Sequence, residues 1–376
     1  MELKTKGKAA SVTEPMVVRV TRNPEKIDSH TALLADDYLP GNLENFRAVL
    51  SSLDLTGFPI SQPHVHGIKS TSHLAEGDIV AINTDGVINT LYRVNSHHNF
   101  LLATERCNSN CLMCSQPPRD REDVYYLHML HRQLIPLIPK DCKELGITGG
   151  EPTLMGNLFF ELLEQLKTEL PETDLHCLTN GRAFAWNNLA DKLGKMQLDR
   201  LMLGIPLYSD YYREHDYIVQ AKDAFHQTIQ GLYHLAANKQ RIEIRIILQK
   251  QSIPRLVKLA KFIYKNLPFV EHVAFMGLEH QGYTPRNMDQ LWIDPVYYME
   301  ELGEAVEFLS HKQLNVSIYN SQLCLLPREL WPYSRKSISD WKNIYVDECK
   351  SCSVFDQCGG LFVSGEKVHS EFLKAI

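Results

Sequence analysis

Residues 99–114 read Asn-Phe-Leu-Leu-Ala-Thr-Glu-Arg-Cys-Asn-Ser-Asn-Cys-Leu-Met-Cys, and residues 144–152 read Glu-Leu-Gly-Ile-Thr-Gly-Gly-Glu-Pro. Each stretch starts with a short apolar run, which reads as a buried strand. Each then ends in a loop whose residue types are unusual. The same rhythm continues down the chain. Strands are expected at 174–179, 200–206, 242–248 and 271–276. Helices are expected at Glu122 to about Pro136, Leu158–Leu170, Ala185–Lys195, Lys222–Ala237 and Pro254–Asn266. Asp294-Pro295 supplies an N-cap and an N1 proline for one more helix, running to about Ser310. In the second of these helices Phe159, Leu162, Leu163 and Leu166 share one face.

Six strand–helix units in succession imply a parallel sheet with right-handed crossovers. Six is short of the eight that close a TIM barrel. The expected fold is therefore α/β, a partial (β/α)6 barrel over residues 97–312. Its site is expected at the carboxyl ends of the strands. Both unusual loops fall there.

The flanks differ. Residues 1–96 read as a mixed, mostly β module. Gly77–Asn83 and Val87–Arg93 flank Thr84-Asp85-Gly86, a strong hairpin signal. Asn42 to Leu53 carries helical spacing. The module is expected either to dock a peptide along an exposed strand or to cap the open edge of the barrel. Residues 313–376 form a cysteine-rich C-terminal domain opened by a short strand at Asn315–Tyr319.

Composition narrows the class. The 376 residues hold 39 Lys+Arg against 45 Asp+Glu, a net charge of −6. That balance argues against a bulk nucleic-acid or anionic-membrane binder. No apolar run is long enough to cross a bilayer. The polar start, MELKTKGKAASVTEP, lacks the apolar core of a signal peptide, so a cytoplasmic protein is expected.

In that compartment the 9 cysteines point to metal or catalysis rather than disulfides. Cys107, Cys111 and Cys114 form a C-x3-C-x2-C loop. Closely spaced thiolates suit an iron–sulfur cluster, or zinc with a fourth ligand from elsewhere. Three thiolates on a four-iron cubane leave one iron open to a small molecule. Gly149-Gly150-Glu151-Pro152 would be an ordinary turn, except that its glycines at a strand end allow close approach of backbone to a ligand. Cys349, Cys352 and Cys358 are spaced C-x2-C-x5-C, and Cys324 can complete four ligands for zinc or a second [4Fe–4S] cluster. Cys142 and Cys177 read as core cysteines, and His64/His66 and His97/His98 as surface polar pairs.

The triad, the Gly-Gly-Glu-Pro turn and the βα rhythm together resemble the radical S-adenosylmethionine (SAM) superfamily. The resemblance implies that Cys107, Cys111 and Cys114 hold a [4Fe–4S] cluster whose fourth iron binds SAM. Reduction would then cleave SAM to methionine and a 5′-deoxyadenosyl radical that abstracts a hydrogen from substrate. Met113 stands where the family usually has an aromatic near the adenine. Gly149, Gly150, Glu151 and Pro152 are implied at the SAM amino group, and Ser209 with Asp210 at the ribose. Arg245, with Gln249 nearby, is implied at the SAM carboxylate. Met276, Gly277 and Glu279 are implied at the adenine. The C-terminal cysteines resemble the twitch/SPASM-like auxiliary-cluster domains of peptide maturases. The fourth cysteine of that pattern is missing, and Phe362 stands there.

Three longer strings, residues 107–118, 276–279 and 337–343, resemble the His-Xaa-Ser system radical SAM maturases of HxsC type. That resemblance implies a His-Xaa-Ser repeat peptide as substrate and a second radical SAM maturase as companion. It also implies an electron donor such as flavodoxin or ferredoxin, with no nucleic-acid or membrane partner. Two alternatives stand beside it. One is a radical SAM enzyme acting on a small metabolite. The other is a non-catalytic subunit that presents a peptide to a partner.

Overall fold

A computed structural model describes residues 3–26, 28–41 and 43–376. Its contacts divide the chain into two compact units. The first comprises residues 1–102, 122–146 and 157–173, and the second residues 103–121, 147–156 and 174–376.

The first unit is built on an eight-stranded sheet. Its strands are β1 (Lys4–Lys6), β2 (Lys8–Ala10), β3 (Met16–Thr21), β4 (Thr31–Leu34), β5 (Ala48–Leu50), β6 (His64–His66), β7 (Ile79–Ile82) and β8 (Val87–Tyr92). Their order is β1-β8-β7-β3-β4-β5-β6-β2. The Asp85-Gly86 turn joins β7 to β8 as an antiparallel pair. In contrast, β3, β4, β5 and β6 pair in parallel. Strands buried on both faces favour that arrangement. Met16, Val18, Val20, Ala32, Leu34 and Leu50 pack on one face, and Leu33, Ala35, Phe46 and Val49 on the other.

The helix expected over Asn42–Leu53 is not formed. Asn42 lies outside the described residues. Leu43–Asn45 makes one 3-10 turn, and Ala48–Leu50 is a strand between β4 and β6. Helical spacing was outweighed because Val49 and Leu50 are claimed by opposite faces of the sheet.

The same unit contains β9 (Phe100–Leu102), α1 (Val124–Leu134) and α2 (Asn157–Glu169). Gln133 of α1 accepts from the backbone N–H of Val17 at 3.1 Å. Arg19 of β3 donates to the carbonyl of Leu137 at 2.8 Å. On the buried side of α1, His128 and His131 both keep an Nδ1 without a hydrogen-bond partner.

Burial, with His128 adding a smaller push, lowers the pKa of His131 to about 4. Its unfolded value lies near 6.5. Between those values the unfolded chain binds a proton that the folded chain refuses, so stability falls as pH drops from about 6.5 toward about 4. We expect His131→Leu to flatten the acid limb of a urea-unfolding series by a few kcal/mol. An unchanged slope between pH 4 and 6.5 in that variant would refute the assignment.

The second unit carries a parallel ladder. β10 (Glu144–Thr148) ends in this unit, and β11 (Asp174–Leu178), β12 (Leu201–Pro206), β13 (Arg241–Leu248) and β14 (His272–Gly277) follow. β15 (Asn315–Tyr319) and the two-residue β16 (Ser334–Arg335) extend the ladder in parallel register. Sequence reading takes Asn315–Tyr319 as the opening of the C-terminal domain. In the structure it pairs with β14 residue for residue, from His272↔Asn315 to Met276↔Tyr319.

The crossovers are α3 (Asn187–Lys195), α4 (Tyr212–Val219) with α5 (Ala224–Ala237), α6 (Leu256–Asn266), and α7 (Met288–Leu291) with α8 (Met299–His311). The chain ends in short 3-10 turns and an antiparallel pair, β17 (Asn343–Ile344) with β18 (Leu361–Phe362). Among the described residues no helix is long and apolar enough to cross a membrane.

Candidate functional site

Chain from β9 leads into the cysteine loop, and three groups of contacts hold that loop. The first is the glycine turn. Gly150 N–H donates to Thr104 O at 2.7 Å, and Glu151 N–H to Arg106 O at 2.8 Å. Gly149 has φ +148°, and a Cβ there would meet Thr104 O at 2.4 Å. A Cβ at Gly150 would stand 2.1 Å from Arg106 O and 3.1 Å from Cys107 Cβ. The Gly-Gly pair is thus required by the backbone that leads into the first cysteine. Gly149→Ala is expected to cost roughly 3 kcal/mol, from the strained φ and the collision together. Thermal melting would check this, and a melt within a degree or so of wild type would sink it.

The second group comes from β11 and the turn after it. Arg182 donates to Asn108 O and, at 3.0 Å, to Ser109 Oγ, while its Nε donates to Gln227 at 2.8 Å. Asn180 donates to Asn108 Oδ1 at 2.6 Å. The third group comes from α4 and the loop after β14. Asn110 and Leu112 donate to the carbonyls of Val219 and Ile218. Tyr283 N–H donates to Cys114 O at 2.9 Å, and Asn287 Nδ2 to Leu112 O at 2.7 Å. Gly282, at φ +66°, lies so close that a Cβ would reach Cys114 O at 2.2 Å. Sequence reading missed Arg182, Gly282, Tyr283 and Asn287. Only their positions just beyond strand ends hinted at them.

The three thiols lie within electrostatic reach of one another. Burial pushes the Cys107 thiol up to about 11, with Glu151 and Cys114 adding to the rise and backbone N–H groups opposing it. Burial, then Cys114 and Cys107, raise Cys111, and Arg182 opposes them. Burial also raises Cys114. Three such thiols ionise together only with a cation among them. The side-chain chemistry therefore fits a metal cluster on these ligands. Among the described residues, no group of three or more His, Cys, Asp and Glu is set as around a single metal ion.

Glu151 was expected at a cofactor. Its carboxylate is fully buried and occupied by the protein. Oε1 accepts from Thr153 N–H at 3.1 Å, Thr153 Oγ1 at 2.7 Å and Thr179 Oγ1 at 2.7 Å, and Oε2 accepts from Asn180 N–H at 2.7 Å. The side chain ties the glycine turn to the end of β11, and Pro152 starts the 3-10 turn that follows. Backbone is what this turn leaves for a ligand.

Met113 is buried with Leu112, Tyr208, Ile218, Val219 and Leu291, and Ile247 and Leu278 pack on the same cluster. Ser209 is fully buried and donates to Glu214 at 2.6 Å. Asp210 is held by both Nε and Nη2 of Arg255 at 2.7 Å. Both hydroxyl-binding candidates are thus committed within the protein.

Arg245 donates to Glu243 at 2.6 Å. The same carboxylate accepts from His272 Nδ1 at 2.6 Å, and His176 stands 3.3 Å away. Burial acts to raise the Glu243 pKa, but the hydrogen bonds from His176 and His272 and the charge of Arg245 lower it on balance. Gln249 is fully buried, and its Nε2 has no hydrogen-bond partner. An orphaned amide at the end of β13 is a group expected of a ligand site. Met276 pairs with Ile247 and Tyr319 in the ladder. Glu279 is bound by Lys342 at 2.9 Å.

The C-terminal cysteines come together. Cys324, Cys349, Cys352 and Cys358 line one recess, with Tyr345, Phe355, Leu361 and Leu373 also on its walls. Burial raises Cys324 and Cys349, and in both cases neighbouring cysteines add to the rise. Cys177 is fully buried in β11, and Cys142 donates to Glu144 O at 3.4 Å. His64 Nδ1 hydrogen-bonds Gln62 O, and His66 accepts from Leu55 N–H.

A parallel βα ladder with a three-cysteine loop at its strand ends defines the class. Residues 101–263 match the model of the Radical SAM superfamily, so the chain carries a radical SAM domain. The curated relatives are more distant. A GTP 3′,8-cyclase of Desulforamulus reducens is 24% identical over 188 residues, covering 48% of this chain and 56% of its own length. A GTP 3′,8-cyclase of Aliarcobacter butzleri is 25% identical over 198 residues, with coverages of 50% and 58%. The chain therefore spans little more than half the length of either. Among solved structures, Streptococcus suis SuiB bound to S-adenosylmethionine aligns with TM-score 0.46 and 16% identity, over 58% of this chain and 49% of its own. The anSMEcpe structure with bound AdoMet aligns with TM-score 0.44 and 17% identity, over 58% and 62%.

Proposed function

We propose that the chain is a radical SAM peptide maturase. In this reading Cys107, Cys111 and Cys114 hold a [4Fe–4S] cluster with SAM, and Cys324, Cys349, Cys352 and Cys358 hold a second [4Fe–4S] cluster. When bound, the first cluster and SAM would supply a 5′-deoxyadenosyl radical. The protein's own task is to bind, orient and exclude water. Arg182, Asn287 and the Gly149-Gly150 turn hold the cysteine loop. Backbone of the glycine turn, Arg245, the orphaned Gln249 amide, and backbone near Met276 and Gly277 remain for SAM, with Met113 beside them. Ser209 acts one step back, by orienting Glu214.

The observation that carries the peptide reading is a convergence. The three strings that resemble the His-Xaa-Ser system maturases are far apart in the chain but adjoin in the fold. Leu278, of the Met-Gly-Leu-Glu string, packs on the cluster containing Leu112 and Met113. Its neighbour Glu279 is paired at 2.9 Å with Lys342, inside the 337–343 string. The proposed substrate is a His-Xaa-Ser repeat peptide, modified in the cytoplasm with flavodoxin or ferredoxin as reductant and a second maturase as companion. The names of the curated relatives favour a second reading, a nucleotide substrate.

One experiment separates them. Anaerobically reconstituted protein is given dithionite and SAM, with either a His-Xaa-Ser repeat peptide or GTP. Nucleoside and substrate masses are then read together, with a Cys107/Cys111/Cys114→Ala control. Deoxyadenosine with a mass change in the peptide supports the proposal. Conversion of GTP replaces it with the second reading. Absence of nucleoside from protein that holds iron and sulfide rejects both.

A further inference from the structure

One pocket, open to solvent on one side, lies wholly within the second unit. It opens at the carboxyl ends of β13, β14 and β15, at Leu248, Gly277 and Asn320. Ligands of parallel α/β folds bind at that end. Its walls join the two cysteine groups. Leu278 is shared with the cluster that buries Met113. Gln322 and Leu361 are shared with the four-cysteine recess.

The lining is apolar and aromatic, with Trp292, Tyr298, Leu325 and Phe362 among it. No lysine, arginine, aspartate or glutamate lines it. Polar groups come from neutral side chains, among them Asn320, Gln322 and His280. His280 hydrogen-bonds the Val368 backbone, and its Nδ1 is left without a partner. Burial lowers the His280 pKa; the hydrogen bond with the Val368 backbone opposes this, and His369 adds to the lowering.

We propose that this cavity is the substrate pocket and that it receives an uncharged, aromatic-sized side chain of a peptide. A triphosphate finds no counter-charge there, and burying an unpaired charge is costly. The ionised methionyl end of SAM is excluded on the same ground. The pocket offers the unpartnered Nδ1 of His280 to an N–H or O–H carried by that ring. This inference rests on the peptide reading and names its substrate class.

The test needs no turnover, so it stands apart from whether SAM is cleaved. Reconstituted protein is titrated with N-acetyl-tyrosine amide, N-acetyl-lysine amide and GTP, with saturation-transfer NMR as readout. SAM binding is measured in parallel. The tyrosine amide is expected to bind at least tenfold more tightly than the lysine amide, and excess GTP is expected not to displace it. Gly365 lines the cavity with open space around the position of a Cβ. Gly365→Phe should therefore fill the pocket without a clash and weaken the tyrosine amide at least tenfold, leaving SAM binding unchanged. His280→Phe should weaken the tyrosine amide toward the level of N-acetyl-phenylalanine amide. Displacement by GTP overturns the proposal, as does equal binding of tyrosine and lysine amides. Undiminished binding in folded Gly365→Phe overturns it too. If SAM fails to bind wild type while the amide binds as expected, the cofactor assignment fails and the pocket assignment survives.

Discussion

If the two cysteine groups each hold a [4Fe–4S] cluster as proposed, alanine at Cys111 is expected to remove about half of the iron from reconstituted protein and to abolish 5′-deoxyadenosine formation. Cys111 is partly buried, and burial raises its thiol, with Cys114 and Cys107 adding to the rise. Its loop is fixed on both sides, by Asn110 and Leu112 on α4 and by Tyr283 and Asn287 beyond β14. Removing one thiolate therefore leaves two ligands that cannot rearrange to replace it. The complementary variant, Cys349/Cys352/Cys358→Ala, is expected to lose the other half of the iron and keep measurable SAM cleavage. Full iron content in Cys111→Ala, or loss of all iron in either variant, would contradict two independent clusters.

Glu151→Ala is expected to be the most destabilising single change in the glycine turn, by roughly 4 kcal/mol. The substitution strands four donors at once: the N–H groups of Thr153 and Asn180 and the hydroxyls of Thr153 and Thr179. Stranded buried donors cost more than the bonds contributed. The melting temperature should drop by about 5 °C. Glu151→Gln should lie between, because its carbonyl oxygen can still accept while its NH₂ faces a donor. If Glu151→Ala instead melts like wild type but loses SAM affinity, the carboxylate is a cofactor ligand and not a tie between loops. Glu151→Asp gives a further check, since a shortened acid cannot reach Thr153 and Asn180 together.

The parts of this protein written in local pattern were legible in its sequence. Strands such as Ile242–Leu248 and helices such as Leu158–Leu170 announce themselves by period and by apolar runs. The cysteine loop announces itself by spacing, because chelation requires thiolates within a few residues of one another. The Asp85-Gly86 hairpin is legible because its turn demands a positive φ that few residues adopt.

What the sequence did not show depended on partners distant in sequence. Ala48–Leu50 became a strand because parallel neighbours on both sides claimed it. β15 joined the ladder because β14 offered it an edge. Glu151 and Ser209 look like ligand groups in the chain, and the fold also gives them internal hydrogen-bond partners. Arg182 and Gly282 carry no signal of their own, and matter only because the turns they occupy pass beside Asn108 and Cys114.

The sequence by itself thus determined the βα rhythm, the two thiolate sets and the glycine turn, since each follows from neighbours along the chain. Tertiary structure alone decided which polar side chains are already satisfied, and that Cys324 joins the other three. It also placed an uncharged cavity between the two sets. Hydrogen-bond satisfaction and burial are properties of what comes near in space, and no spacing in the chain encodes them.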